Sequence, residues 1–292
     1  VGAGFFSQRM NQLTCNARYM DEVERVLYNN VLTGVSLSGD KYTYQNPLNT
    51  DKPDRWEWHV CPCCPPMFLK IMSAMPSYIY AYQGDNIYVN LFIGSEVRIP
   101  IDKNNSVRLK QLTSYPWHGA VSIQVNPDKA STFSIKVRIP GWAQGTENPY
   151  GLYQSNLKAP VKLKVNQKDI LLRIVDGYAE ISREWKKGDH IELELPMQPR
   201  LITANEAVKD LRGQVALASG PVIYCFEDAD NPELPTLTLQ PQTPLELSHD
   251  NDLLHRVNII KCQSKIPAKA IPYYAVANRK ESHSYKVWIP QE

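Results

Sequence analysis

The hydrophobic period of this chain changes once, near Tyr82, and that change limits the fold more than any single motif does. Before it, Met20, Val23, Leu27 and Val31 recur at helical spacing, which predicts an amphipathic helix over 17–33. Asp21, Glu22, Glu24 and Arg25 fall on its other faces, and Gly34 fits its end. Phe68, Leu69, Met72 and Met75 repeat the pattern after Pro66, until Pro76 interrupts it. Turn-forming clusters, Ser38-Gly39-Asp40, Asn46-Pro47 and Asp51-Lys52-Pro53-Asp54, lie between the two helical stretches. After Tyr82 the period is two, with candidate strands at 87–93, 97–101, 107–112, 121–125, 133–139, 161–165, 178–181 and 191–195. Gly84-Asp85-Asn86, Asn104-Asn105, Asn126-Pro127-Asp128 and Gly188-Asp189 separate them, and short strands so spaced predict an antiparallel sandwich or jelly roll. A second strand-rich block follows Arg200, at 214–218, 222–226, 257–261 and 285–289. Its Pro232, Pro235, Pro241 and Pro244 read as a long connection over a surface. The expected division is a helical part over 1–81, a β-sandwich over 82–200 and a second β-sandwich over 201–292.

Composition narrows the function classes. Hydrophobic residues make up 43% and charged residues 21%, enough for a packed core. The 32 basic and 30 acidic side chains nearly cancel to +2, and no Lys/Arg run occurs, so neither nucleic acid nor an anionic membrane is expected as a partner. No apolar stretch approaches bilayer length, and Val1-Gly2-Ala3-Gly4-Phe5-Phe6-Ser7 lacks the basic start and long apolar middle of a signal peptide. With no initial methionine, the chain reads as a processed or truncated piece; a periplasmic or secreted location is placed ahead of a cytoplasmic one.

Six cysteines are too few for a disulfide framework at this length, yet three of them fall in His59-Val60-Cys61-Pro62-Cys63-Cys64-Pro65-Pro66. A vicinal pair closes a disulfide only with strain, which favours a thiolate or metal role. Two prolines suit the first turn of a helix, so Cys63 and Cys64 are expected at its N-terminus, where the helix dipole favours a thiolate. Cys61-x-x-Cys64 has the spacing of half a zinc site, and Cys63-Cys64 offers two adjacent sulfurs. No second such pair occurs, and the six histidines show no ligand spacing. Reduced cysteines packing a helix start remain an alternative on spacing alone.

Four segments carry a family resemblance: 17–29 (Ala-Arg-Tyr-Met-Asp-Glu-Val-Glu-Arg-Val-Leu-Tyr-Asn), Gly34-Val35-Ser36-Leu37-Ser38-Gly39, Tyr44-Gln45-Asn46-Pro47-Leu48 and Cys61-Pro62-Cys63-Cys64-Pro65-Pro66. Together they resemble the zinc-dependent β-L-arabinofuranosidases, bacterial glycoside hydrolases of families 127 and 146. Val137-Arg138-Ile139-Pro140-Gly141-Trp142-Ala143, Gly220-Pro221-Val222-Ile223-Tyr224-Cys225 and 270–279 extend the likeness along the whole chain. The resemblance implies the closing helices of an (α/α)6 barrel followed by two antiparallel, jelly-roll-like β-sandwich domains. It also implies Cys63 as nucleophile and zinc ligand, Cys64 as zinc ligand, Cys61 outside the metal shell and Tyr44 near the sugar. The implied substrate is an arabinose-containing oligosaccharide or glycoconjugate, and a homodimer is compatible with it. The family's Glu-x-Cys zinc ligands and its acid/base glutamate have no counterpart in this sequence. The chain alone is therefore expected to be inactive and to hold zinc weakly or not at all.

Trp56, Trp58 and His59 crowd the approach to the cluster, as a sugar subsite or as core. Cys15 stands where relatives carry a small turn residue, and Met67 where an asparagine is frequent. Asp21-Glu22 and Glu227-Asp228 read as solvated faces or loops rather than a catalytic dyad. A non-catalytic carbohydrate-binding protein using Trp117, Trp142 and Trp185 is the rival reading, and a structural zinc or redox protein using Cys61-x-x-Cys64 a third.

Overall fold

The computed structural model describes residues 1–57, 63–148, 150–157 and 159–292. Four α-helices occur among them: α1 (Gly2–Thr14), α2 (Arg18–Val26), α3 (Cys64–Ala74) and α4 (Pro76–Ile79). Periodicity does not reveal α1, because its buried positions, Gly4, Ser7, Gln8 and Asn11, are small or polar. It stops at Cys15, whose φ of 52° is the left-handed turn where a small residue fits best. The helix expected over 17–33 forms, but only its first part is α. It continues as a π turn over Leu27–Val31 and a 3-10 turn over Leu32–Gly34. Its stripe of Met20, Val23, Leu27 and Val31 packs with Ile71, Met75, Tyr78 and Leu91 into one cluster. These helices form a layer against the sheets. No helical barrel is built from the described residues, since closing a ring of helical pairs needs several times the helices present.

Two sheets share the next core. One has the order 168–169, 162–165, 189–194, 120–127, 105–113, 95–102; the other has 174–175, 178–185, 131–138, 86–89, 80–83. All pairings are antiparallel except that of Asn86–Val89 with Ser131–Arg138. Val107, Leu109, Ile123, Val125, Ile191 and Leu193 from the first sheet meet Ile135, Val137, Ile181 and Trp185 from the second. Each fully buried aliphatic or aromatic side chain contributes about 1.5–3 kcal/mol. The expected sandwich is thus present, with strand positions close to the apolar alternation.

The last block departs from expectation. Its strands form a single branched ten-stranded sheet by hydrogen bonding, rather than two separate stacked sheets. Alternation along Gln214–Ser219 sends Val215 and Leu217 to one apolar cluster and Ala216 and Ala218 to another, so both faces are covered. The sheet also recruits Tyr153–Ser155 and, through Tyr285–Lys286, Asn49–Thr50 from the loop before α3. The proline-rich stretch is not a purely surface connection. Leu234, Leu237 and Leu239, interleaved with its prolines, are buried in this core.

Buried ion pairs join the layers, and here the sequence reading needs correction. Arg138 is fully buried and bonds Glu24 on α2 at 2.5 Å and Asp21 at 2.6 Å. Glu227, likewise buried, accepts from Arg279 at 2.9 Å and from the Ala277 amide at 2.8 Å. Asp21, Glu24 and Glu227 are therefore structural acids, not solvated ones, because each has a cation or amide brought to it from far along the chain. Gly141 donates its amide to Asp21, and a Cβ there would stand 3.0 Å from the Asp21 carboxylate and 2.8 Å from the Thr146 carbonyl oxygen. Only glycine admits that approach.

Candidate functional site

Helix α3 begins where the prolines demand. Cys63 is the N-cap residue, Cys64 opens the helix, and Pro65 lies in its first turn, where a missing amide costs nothing. Cys63 is exposed and Cys64 half-buried. Their sulfurs stand 3.7 Å apart, too far for a bond. Two sulfurs each 2.3 Å from a tetrahedral zinc would be separated by about 3.8 Å. The pair thus has the bite of two zinc thiolates. Among the described residues no group of three or more Cys, His, Asp or Glu side chains converges to hold a metal. The donors present fit half of a zinc site. Cys61, His59 and Trp58 lie outside the described residues.

The other described cysteines offer no such chemistry. Cys225 and Cys262 are buried in the C-terminal sheet, where burial pushes the Cys262 thiol up to about 12 and the Cys225 thiol well above its usual value. Cys15 is a turn residue with its sulfur 3.7 Å from Gln83 Oε1.

Tyr44 belongs to a loop running from Val35 to Glu57. It is 52% exposed and lies parallel to Trp56, with ring centroids 6.1 Å apart and planes 2° from coplanar orientation. Both rings border a cavity of about 300 Å3 that also meets Gln45, Asp54, Lys52 and Tyr285. The described contacts join Tyr44 to Trp56 and Cys63 to Cys64. Of the tryptophans proposed for sugar stacking, Trp142 and Trp185 are buried, and Trp117 is half-buried against Tyr274. Trp185 donates its indole N–H to the Phe133 carbonyl inside the sandwich. Trp142 and Trp185 are core aromatics, which leaves only Trp117 of the three to support a binding module.

A separate cavity of about 470 Å3 lies where α2 meets both β blocks, lined by Asp21, Glu24, Arg25, Glu147, Arg200 and Trp142 among others. Burial raises the Asp21 carboxyl to about 6, against the opposing pull of Arg138. Glu147 goes the other way. Burial would push it up, but the Arg200 guanidinium, at 2.6 and 2.9 Å, holds it below the usual carboxylate range. The cavity does not include the thiol pair.

Arg55 was not singled out by sequence. Its guanidinium donates to the Val276 carbonyl at 3.1 and 2.8 Å and to the Thr33 carbonyl at 3.0 Å. Burial lowers it to about 10, partly offset by Tyr285, Glu227 and Tyr273. Main-chain partners leave no sequence signal; the only clue is an arginine alternating with Trp56 in an extended stretch.

Comparison with known proteins agrees with this architecture. The β-L-arabinofuranosidase GH127 catalytic-domain model matches residues 1–77, the GH127 middle-domain model 86–197, and the glycoside hydrolase family 127 C-terminal-domain model 199–290. The chain is 30% identical over 249 residues to the non-reducing end β-L-arabinofuranosidase of Bifidobacterium longum subsp. longum, covering 80% of this chain and 35% of that protein. A solved GH127 β-arabinofuranosidase superposes with a TM-score of 0.93 at 32% identity, over 100% of this chain and 48% of that one. A GH127 β-L-arabinofuranosidase from Geobacillus stearothermophilus T6 does so at 0.89 and 32%, over 99% and 49%. A helical layer backed by two β blocks is thus an architecture shared with solved GH127 β-arabinofuranosidases. This chain belongs to glycoside hydrolase family 127. It spans about a third of the curated relative and about half of each solved one.

Proposed function

We propose that this chain is part of a retaining glycosidase that releases β-L-arabinofuranose from plant-type arabinosides, with Cys63 as nucleophile. The observation that carries the reading is the sulfur pair 3.7 Å apart at the start of α3, with Cys63 exposed, in a chain of this family. The Cys63 sulfur attacks the anomeric carbon as the bond to the leaving oxygen breaks, and a carboxylic acid gives that oxygen its proton. Water then displaces the sulfur, returning its proton to the carboxylate, and two inversions leave the configuration retained. Cys63 and Cys64 would hold zinc together with further ligands, and the metal's charge would keep the attacking sulfur ionised. Tyr44 would hydrogen-bond the sugar. Among the described residues no third ligand converges on the pair, so the chain by itself is expected to be inactive.

A thiol-reactive arabinofuranoside analogue tests this in the full-length protein. The expected result is one adduct, on Cys63, lost in Cys63→Ser and blocked by excess arabinose. Adduct formation on Cys64 instead, or no labelling with intact sugar binding, would sink the nucleophile assignment and return the binding-protein alternative.

A further inference from the structure

We infer that the C-terminal β block is a working part of the site: through Arg55 it sets the position of the loop that presents Tyr44 and Trp56. The loop is fastened to that block at several points. Asn278 Oδ1 accepts from the Leu37 amide at 2.9 Å. The Tyr273 hydroxyl donates to the Asn46 and Pro47 carbonyls at 3.0 and 2.9 Å, and the Tyr285 hydroxyl to Pro47 at 2.8 Å. Asn49 and Thr50 pair with Lys286 and Tyr285 as strands. Trp56 exchanges both main-chain hydrogen bonds with Tyr42, two residues from Tyr44.

Arg55 closes this set. In extended backbone, neighbouring side chains point to opposite sides, so Arg55 turns inward as Trp56 turns out. Its planar fork spans two carbonyls from different parts of the fold, Thr33 at the end of the helical run and Val276 in the turn that follows strand Ala268–Pro272, a fixed two-point grip that an ammonium does not reproduce. The Val276 carbonyl is itself fixed. Asn278 donates to it at 3.1 Å, and buried Glu227 holds the next amide, Ala277. Arg55 is thus a positioning residue, which acts on substrate through the ring beside it. The effect on sugar binding rests on the proposed arabinoside function; the positioning does not.

Fluorotryptophan labelling of the chain gives a fluorine NMR line for each of its 6 tryptophans, and Trp56→Phe assigns one of them. In Arg55→Met the Trp56 line should shift and broaden while those of Trp142 and Trp185 stay in place, and Arg55→Lys should restore it in part. Affinity for methyl β-L-arabinofuranoside should fall about tenfold in Arg55→Met, the scale on which slight misplacement of a contact is felt. If Arg55→Met fails to fold, Asn278→Ala, which releases Leu37, should move the same line. An unmoved Trp56 line in a folded variant, or all tryptophan lines moving together, would overturn the inference. Absence of sugar binding in the unmodified chain, with the Trp56 line still sensitive to Arg55, would instead count against the proposed function and leave the positioning supported.

Discussion

Arg138 and Cys63 stand at opposite extremes of the molecule. The guanidinium of Arg138 is fully buried, and Glu24, Asp21 and the Asn90 carbonyl surround it. Cys63 is exposed at a helix start, with its sulfur beside a second sulfur. The difference separates two uses of a polar group. A charge with every partner in place fastens the helical layer to the sandwich, but it has no valence left for a substrate. An accessible thiol adds little to the fold and keeps its reactivity. Charge burial is therefore a poor pointer to chemistry here, although it produces the larger ionisation shifts.

The sharpest break of that comparison is Arg138→Met. It leaves Glu24, 1% exposed, as a buried carboxylate without its cation, a defect that typically costs about 3–5 kcal/mol. Urea denaturation should show a loss of that size. A loss under about 1 kcal/mol would mean that the cluster is not holding the layers together.

That cluster was also the least legible part of the sequence. Val107 and Leu109, or Ile123 and Val125, announce buried strand faces because apolar alternation is a local signal. Glu24 lies 114 positions from Arg138, so in sequence it reads as one more polar helix residue. The inward face of α1, with Ser7, Gln8 and Asn11, is hidden for the same reason: its Asn11 bonds Tyr178 across 167 positions. The thiol pair was legible because its signals, adjacent cysteines and following prolines, are contiguous. Arg55 was not, since its partners are main-chain oxygens that any residue could supply.

Asp21 sits between the two extremes, with a side chain 19% exposed, and should give the next largest effect. Its carboxyl is raised from 3.8 to about 6 in the folded chain, burial outweighing Arg138. The folded state therefore binds this proton more tightly than the unfolded state does. The contribution is fully present below about 4 and is lost as pH rises through about 6, up to about 3 kcal/mol in all. Asp21→Asn removes the titration. The stability of the unmodified chain minus that of the variant should fall between pH 4.5 and 7.5; a difference rising over that range would contradict the assignment.

Cys63→Ser should give the smallest change in stability and the largest in chemistry. The residue is exposed, and its carbonyl, which accepts from the Met67 amide at 3.4 Å, is untouched by the substitution. Surface changes of this kind lie within about 0.5 kcal/mol. A serine oxygen, however, is a far weaker nucleophile and a harder ligand than a thiolate, so thiol labelling at this position and half of the two-sulfur bite disappear together. Cobalt separates the two roles, because thiolate coordination is visible as a sulfur-to-metal absorption band. In the full-length protein that band should weaken in Cys63→Ser and in Cys64→Ser, whereas sugar-directed labelling should vanish only in the first. A large stability loss in Cys63→Ser without metal present would place this cysteine with Arg138 among the structural groups, and the contrast between the two regions would collapse.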